Sequence, residues 1–181
     1  MNYTNIDWIK TNCTKIHPFG LGFIQVKLND SERMHFYHPD FQREREELHN
    51  HRYDFRSTII RGVLYQEIYE FCDTRETLIP PTHELYETDC LSHKEEVVIQ
   101  GQGIPMLEYS GYHSVGSEYS LPHSSLHRVE AQSCVTFLRR GAKVKATAQV
   151  VREIGTVPAC PFSEKIEESQ MWEMVYECLY K

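Results

Sequence analysis

The chain has 181 residues, of which 40% are hydrophobic and 25% charged, as expected for a single globular domain over residues 1–181. Its 26 acidic side chains outnumber the 19 basic ones and give a formal charge of −7, which argues against nucleic-acid binding because phosphate backbones require a concentrated positive surface. No apolar run approaches the roughly 20 residues of a membrane span, and the N-terminus lacks the pattern of a signal peptide. Six scattered cysteines without a Cys-x-x-Cys pair favour free thiols in a reducing compartment. We therefore expect a cytoplasmic protein with no membrane partner.

Helices are predicted at the two ends of the chain. The first spans residues 4–16, where Thr4 and Asp7 have the spacing of a capping box and three isoleucines form a partial apolar stripe. The second spans residues 163–181, follows two prolines and carries an apolar stripe at helical spacing.

Between these helices the pattern is almost entirely that of β-strands. Turn signals separate the strands, among them Gly62, Ser92-His93 and Gly101-Gln102-Gly103. Strands are predicted over residues 23–28, 33–37, 58–60, 63–69, 83–87, 95–100, 106–109, 119–121, 126–130, 134–138 and 144–151. Many short strands with little helix between them indicate a sandwich or barrel, here over about residues 20–152.

The first motif that carries chemistry is His49-Asn50-His51. On a strand, residues i and i+2 face the same side, so the two imidazoles aim at one point. Neutral imidazole is a good ligand for iron, copper, nickel or zinc. Taken alone, a His-x-His unit is weak evidence for a metal site.

A second segment consists of Gly116, five residues, and Pro122-x-Ser124-x-x-His127. The cupin family carries two signatures in order. The first is His-x-His, a few residues, an acid, six residues and a glycine; the second is a glycine, five residues and Pro-x-Gly-x-x-His. This segment resembles the second signature, with Ser124 in place of one glycine.

The first signature is matched by His49-x-His51, three residues, Phe55, six residues and Gly62. Two matches in the right order imply a cupin double-stranded β-helix. That is a mainly β jelly-roll barrel with short N- and C-terminal helices. The resemblance also implies one metal ion bound by His49, His51 and His127.

Phe55 stands where most cupins have an acidic ligand, which leaves a three-histidine site as in the cysteine dioxygenase branch. Residues 126–130, Leu-His-Arg-Val-Glu, are similar to a segment of that branch, and the similarity covers roughly residues 33–140. Small cupin-like proteins of unknown function, many from phage genomes, resemble the sequence as well.

Three neutral histidines on Fe(II) leave two or three coordination positions for a bidentate substrate and dioxygen. Fe(II) is therefore the expected cofactor, with Zn, Ni and Mn as alternatives. An arginine suits a substrate carboxylate because guanidinium binds it in a bidentate manner. Arg33 is the leading candidate, followed by Arg128 and Arg140, and Glu67 is a further candidate for substrate binding. Each could instead be an ordinary surface residue.

Two positions depart from the cysteine dioxygenase pattern. Asp54 stands where that branch has its characteristic cysteine, and Arg140 stands where it has its active-site tyrosine. The family's cysteine–tyrosine cross-link therefore cannot form at these positions. An arginine near the metal favours an anionic substrate over zwitterionic cysteine. Asp54 could itself bind the metal only if the chain bulges there, because strand alternation points it away from His49 and His51.

The leading functional hypothesis is a non-haem iron oxygenase that acts on a small anionic or thiol molecule. One alternative is a cupin that binds a small ligand without turnover. Another is a cupin isomerase or lyase that uses the metal as a Lewis acid. A homodimer is compatible with each of these hypotheses. A Ser–His nucleophile has no support, since no Gly-x-Ser-x-Gly motif is present.

Overall fold

The computed structural model describes residues 2–19, 22–41, 47–88, 98–156 and 165–181. These contain two helices and ten strands. In chain order they are α1 (Ile6–Asn12), β1 (Lys15–Phe19), β2 (Phe23–Lys27), β3 (Glu32–Tyr37), β4 (Leu48–His49), β5 (Phe55–Asp73), β6 (His83–Thr88), β7 (Val98–Ser114), β8 (Glu118–Leu121), β9 (Leu126–Arg140), β10 (Ala148–Glu153) and α2 (Glu168–Tyr180). Within the described ranges, neither helix has the length and apolar character needed to span a bilayer.

Two long antiparallel strands, β5 and β9, form the spine of the sheet, with residues 55–69 paired to residues 126–140. On its other edge β9 pairs with β4 near its start and with β3 near its end. On its other edge β5 pairs with β8 and then with β7. Each of these long strands thus pairs along one edge with two successive strands, as long strands do where the sheet of a jelly roll bends.

The strand pairings close into a ring. β9 pairs with β4, β4 with β10, β10 with β6, β6 with β7, β7 with β5, and β5 again with β9, all antiparallel. Closure removes free edges from these six strands along their paired lengths. The predicted fold class, a mainly β jelly-roll barrel with terminal helices, is confirmed.

The two helices cover one face of the β1–β2–β3 extension. Ile24, Val26, Met34 and Phe36 are fully buried on that face and pack with residues of both helices. Burying each of these side chains contributes roughly 1.5–3 kcal/mol. The opposite face of β3 is thereby left to face the barrel interior.

The first helix is shorter than the predicted 4–16. Asn5 rather than Thr4 caps it, with its side chain accepting a hydrogen bond from the Trp8 backbone N–H. Residues 15–19 form β1 instead, because Ile16 and its neighbours pair with β2. The apolar stripe that suggested a longer helix therefore combines a seven-residue helix with the start of a strand.

Several predicted breaks lie inside continuous strands. Gly62 is at φ +76° within β5, where the register with β9 shifts, so it forms a bulge rather than an end. Gly101 to Gly103 lie within β7. The predicted strand 144–151 begins later, at Ala148. The predicted turn at Ser92-His93 and the start of the strand at 95–97 lie outside the described residues.

The bulge also changes which isoleucine is buried. Ile59, rather than the predicted Ile60, is only 1% exposed, and Ile60 is half-buried. The predicted burial is confirmed for Leu64, Val129, Val135 and Phe137, whereas Ile68 is half-buried. Cys13, Cys72, Cys134 and Cys178 are free thiols, as expected; Cys90 and Cys160 lie outside the described residues.

Candidate metal centre

His49, His51 and His127 lie together on one face of the sheet. His49 on β4 is paired directly with His127 on β9, and directly opposed residues of antiparallel strands face the same side. His51 follows two residues after His49. The two sequence motifs predicted that these three histidines lie together. The pairing of β4 with β9 brings them together in the structure.

The three side chains offer one ligand atom each within 4.8 Å of one another. Nε2 of His51 lies 2.8 Å from Nε2 of His127. Two nitrogens bound at right angles to one ion would be separated by about 3.0 Å, given metal–imidazole bonds of about 2.1 Å. Neighbouring ring centroids are 4.8–5.0 Å apart, so the rings surround a common point.

Hydrogen bonds to the outer ring nitrogens orient the cluster only in part. Nδ1 of His49 lies 3.0 Å from the Glu47 carbonyl oxygen, which can only accept, so Nδ1 carries the proton and Nε2 keeps its lone pair. Nδ1 of His127 is buried and has no hydrogen-bond partner among the described residues. The His127 ring is therefore held by packing and by its contact with His51.

The imidazoles of His51 and His127 are held neutral. Burial lowers the pKa of both rings well below the usual value of 6.5, and the neighbouring His49 lowers both further. Neutral imidazole is the form that binds a metal. Three imidazole rings that offer one nitrogen each toward a common point fit a divalent transition metal.

Phe55 occupies the position of the missing acidic ligand. Its ring lies edge-on to His51, with centroids 4.8 Å apart, and packs in a buried cluster with Leu121 and Leu138. Asp54 is exposed and accepts hydrogen bonds from the backbone N–H and Nδ1 of His123, at 2.7 and 2.8 Å. Asp54 is therefore not part of the histidine cluster, in agreement with the strand alternation that points it away from His49 and His51.

Glu67 and Arg128, predicted as substrate-binding residues, lie on the other face of the sheet. His127 is paired with Ile68, while the adjacent Arg128 is paired with Glu67. Adjacent strand residues face opposite sides, so this pair points away from the histidines. The guanidinium of Arg128 binds the Glu67 carboxylate and the Tyr69 hydroxyl. This correction follows from the register, because the two candidates satisfy each other rather than a ligand.

Arg33 and Arg140 lie on the side of the histidine cluster and converge on Tyr53. Their guanidinium carbons are 5.5 and 5.3 Å from the centre of the Tyr53 ring, which in turn stacks on His51 at 5.7 Å. Nε of Arg33 is buried and has no hydrogen-bond partner within the described ranges. Arg140 instead donates from Nε to the Asp30 carbonyl oxygen. Arg33 is thus the arginine left available to a ligand.

The region around Arg33 is strongly basic. Burial lowers the pKa of Arg33, and the nearby charges of Arg140 and Arg52 lower it further. Lys27, paired opposite Arg33, has its pKa lowered by burial and by Arg33, with Asp30 opposing the shift. Although the whole chain is acidic, this part of the barrel favours an anion.

Two polar residues on this face, Tyr53 and Gln66, belong to no motif that could be recognised in the sequence. Tyr53 follows His51 by two residues, as His51 follows His49, and this spacing alone would have placed its side chain beside the histidines. No residue of the cupin signatures corresponds to it. Gln66 is buried and accepts a hydrogen bond from His113 Nε2 at 3.0 Å, while its own Nε2 has no partner in the part of the chain described. It lies two residues from Ile68 and so on the histidine side of β5.

No family model and no curated protein sequence matches this chain. Solved structures give weak similarities. A hydroquinone 1,2-dioxygenase from Sphingomonas sp. TTNP3 with 4-hydroxybenzoate bound is 14% identical, with a TM-score of 0.38, over 78% of this chain and 77% of that one. A hydroquinone 1,2-dioxygenase in complex with Cd2+ and 4-hydroxybenzonitrile is 16% identical, with a TM-score of 0.35, over 86% and 77%. At such TM-scores the fold assignment rests on the strand pairings above.

Proposed function

We propose that this protein is a metal-dependent enzyme of the cupin class, a non-haem iron oxygenase that acts on a small anionic molecule. The observation that supports this proposal is the convergence of three histidines near Arg33, whose buried Nε has no hydrogen-bond partner among the described residues. His49, His51 and His127 would bind the metal and Arg33 the anionic group. The cytoplasmic location, the single domain and a homodimer remain predictions.

The chemistry of the donor set favours Fe(II), with Zn, Ni and Mn as alternatives. Three imidazoles and no carboxylate leave the full charge of the ion in place. Fe(II) on such a face keeps two or three positions open, which suits it to oxygenase reactions. Phe55, Leu121 and Leu138 line the neighbouring interior with apolar surface.

Arg33 supports an anionic substrate. A buried guanidinium Nε without a partner loses water without gaining a hydrogen bond, which is unfavourable by roughly 1–3 kcal/mol. A carboxylate of the substrate would supply the missing acceptor. Tyr53 lies between this arginine and His51, so the anionic group would be bound close to the metal.

Cysteine is not the substrate that these residues favour. Arg140 and Asp54 replace the tyrosine and cysteine of the cysteine dioxygenase branch, and Asp54 is exposed away from the histidines. The basic surroundings of Arg33 would repel the ammonium group of zwitterionic cysteine. We therefore propose a neighbouring branch with a substrate that lacks an amine.

The test is oxygen uptake by Fe(II)-loaded protein with a panel of small carboxylates, with and without an amine or thiol. We expect uptake with an amine-free carboxylate and none in the Zn-loaded control. Formation of cysteine sulfinate at a comparable rate would contradict the substrate proposal. Absence of uptake with every compound, despite a bound iron, would favour the binding-module or the isomerase and lyase alternatives.

A further inference from the structure

A row of three polar side chains crosses the barrel-facing side of β1, β2 and β3. His17 is paired with Gln25, and Gln25 is paired with His35. Nε2 of His17 lies 3.2 Å from Oε1 of Gln25, and Nε2 of Gln25 lies 3.1 Å from Nε2 of His35. The amide of Gln25 therefore bridges two imidazoles.

The amide determines which nitrogen of His35 carries the proton. The NH2 group of Gln25 can only donate, so Nε2 of His35 accepts and its proton resides on Nδ1. In the same way, the amide oxygen of Gln25 can only accept, so Nε2 of His17 donates to it. The hydrogen bond found for His35 among the described residues uses Nε2, which leaves the Nδ1–H group free to donate to a ligand.

The surroundings of His35 keep its ring neutral and fixed in orientation. Burial lowers the pKa of His35 to about 3, and the charges of Arg33 and His17 contribute further. The ring of Phe23 stacks on it with centroids 4.4 Å apart, and Tyr37 lies edge-on at 6.5 Å. His35 can therefore supply a hydrogen bond but no charge near neutral pH.

His35 shares its face with the anion-binding candidate. Arg33 precedes it by two residues on β3, so both side chains project from the same side. Arg33 is paired with Leu138, whose side chain packs against Phe55, and Phe55 contacts the histidine cluster. Arg33 and His35 thus lie side by side along the interior that leads to His51.

We propose that Gln25 locks His35 as a neutral Nδ1–H donor, and that this donor and the Arg33 guanidinium together bind one carboxylate of the ligand. Arg33 supplies the charge, and His35 supplies a directed hydrogen bond. Gln25 is a positioning residue that acts through His35. The inference rests on the proposed function only in assigning this carboxylate to the ligand of the metal site.

The first experiment measures the tautomer by NMR of metal-free protein with 15N-labelled histidine. We expect His35 to be protonated on Nδ1 alone. In Gln25→Glu the introduced carboxylate can only accept, so the proton should be found on Nε2. Protonation of His35 on Nε2 in the unchanged protein would overturn the proposal, since Nδ1 would then be an acceptor.

The second experiment titrates metal-free protein with acetate and follows the Arg33 Nε–H and His35 ring resonances. Both should shift with one dissociation constant. His35→Leu should weaken acetate binding roughly 10-fold or more, as expected for a hydrogen bond to a charged group. His35→Asn, whose amide nitrogen can replace Nδ1 as a donor, should recover most of the affinity. Acetamide serves as the uncharged control and should bind weakly to all variants.

These outcomes separate the inference from the proposed function. Acetate that leaves both resonances unchanged, or binds His35→Leu as tightly as the parent, would overturn the inference even if the histidine cluster binds iron. Acetate bound as expected in a protein that takes up no metal would instead leave the inference standing and contradict the metal proposal.

Discussion

Nε2 of His51 and Nε2 of His127 lie 2.8 Å apart, although both rings are buried and neutral. At this distance one nitrogen must donate a proton to the other, so one lone pair is occupied by a hydrogen bond. A divalent cation could replace that shared proton and accept both lone pairs, together with that of His49. Metal binding should therefore move that proton from Nε2 to Nδ1 of the same ring, because the neutral imidazole is the form that binds a metal.

Replacing His127 with alanine should abolish stoichiometric metal binding, because the two remaining imidazoles of the cluster would bind the metal too weakly. His83→Ala is the matched control, since His83 lies on β6 and is hydrogen-bonded to Thr82. Metal content can be measured on protein purified without an affinity tag or chelator. Full metal content in His127→Ala, or equal loss in His83→Ala, would contradict the assignment of the cluster.

The same substitution at two arginines should change stability in opposite directions. Arg33→Leu removes a buried Nε–H that has no hydrogen-bond partner in the part of the chain described, and it should raise the free energy of unfolding by about 1 kcal/mol while impairing anion binding. Arg128→Leu leaves the Glu67 carboxylate without its cationic partner and should lower the free energy of unfolding by roughly 3–5 kcal/mol. Urea unfolding measures both, and a loss of stability in Arg33→Leu would indicate a structural rather than a ligand-binding arginine.

Metal-free protein should lose stability as the pH falls below 6.5. His35, His51 and His127 have pKa values lowered mainly by burial, so below their unfolded pKa of 6.5 the unfolded chain binds protons that the folded chain does not. Each group then lowers the free energy of unfolding by about 1.4 kcal/mol per pH unit, which gives about 4 kcal/mol per unit for three. The effect is absent above pH 6.5 and, for His35, continues down to its folded pKa of about 3.

Urea unfolding at several pH values between 7.5 and 5 tests this slope. His35→Asn removes one of these groups and should reduce the slope by about 1.4 kcal/mol per pH unit. Equal stability across this range would show that the rings gain protons in the folded state.

The two glycines of the cupin signatures should differ in their tolerance of alanine. A Cβ at Gly62 would lie 2.4 Å from the Ser133 carbonyl oxygen, and its φ is +76°, so Gly62→Ala should cost roughly 3 kcal/mol or more. Gly116 has φ +83° but open space around it, so Gly116→Ala should cost only about 1–2 kcal/mol. Thermal unfolding of the two variants gives the comparison, and equal losses would show that crowding at the β5 bulge is unimportant.

The histidine cluster could be predicted from the sequence because its three residues obey fixed spacings. The surrounding residues could not. Whether Glu67 faces the histidines depends on register shifts in β5 that a period of two does not predict, and β5 contains such shifts near Gly62. Arg128, by contrast, follows His127 directly, and strict alternation already placed it on the other face.

The row formed by His17, Gln25 and His35 is equally invisible in the sequence, since it depends on how three strands align. Each residue occupies an ordinary strand position, and only the pairing of β1 with β2 and of β2 with β3 brings them together. The helices lie near the two ends of the chain, as predicted. Strand β1 was not predicted, because Ile16 completed an apparent helical stripe.

X-ray absorption of the protein after anaerobic addition of one equivalent of Fe(II) tests the central claim most directly. Our proposal predicts one tightly bound iron per chain with scattering from three imidazole rings, whose nitrogens lie at about 2.0–2.2 Å. The same sample of His127→Ala should show weaker binding and fewer imidazoles. Iron bound by fewer than three imidazoles in the unchanged protein, or no iron bound at all, would contradict a metal centre on His49, His51 and His127.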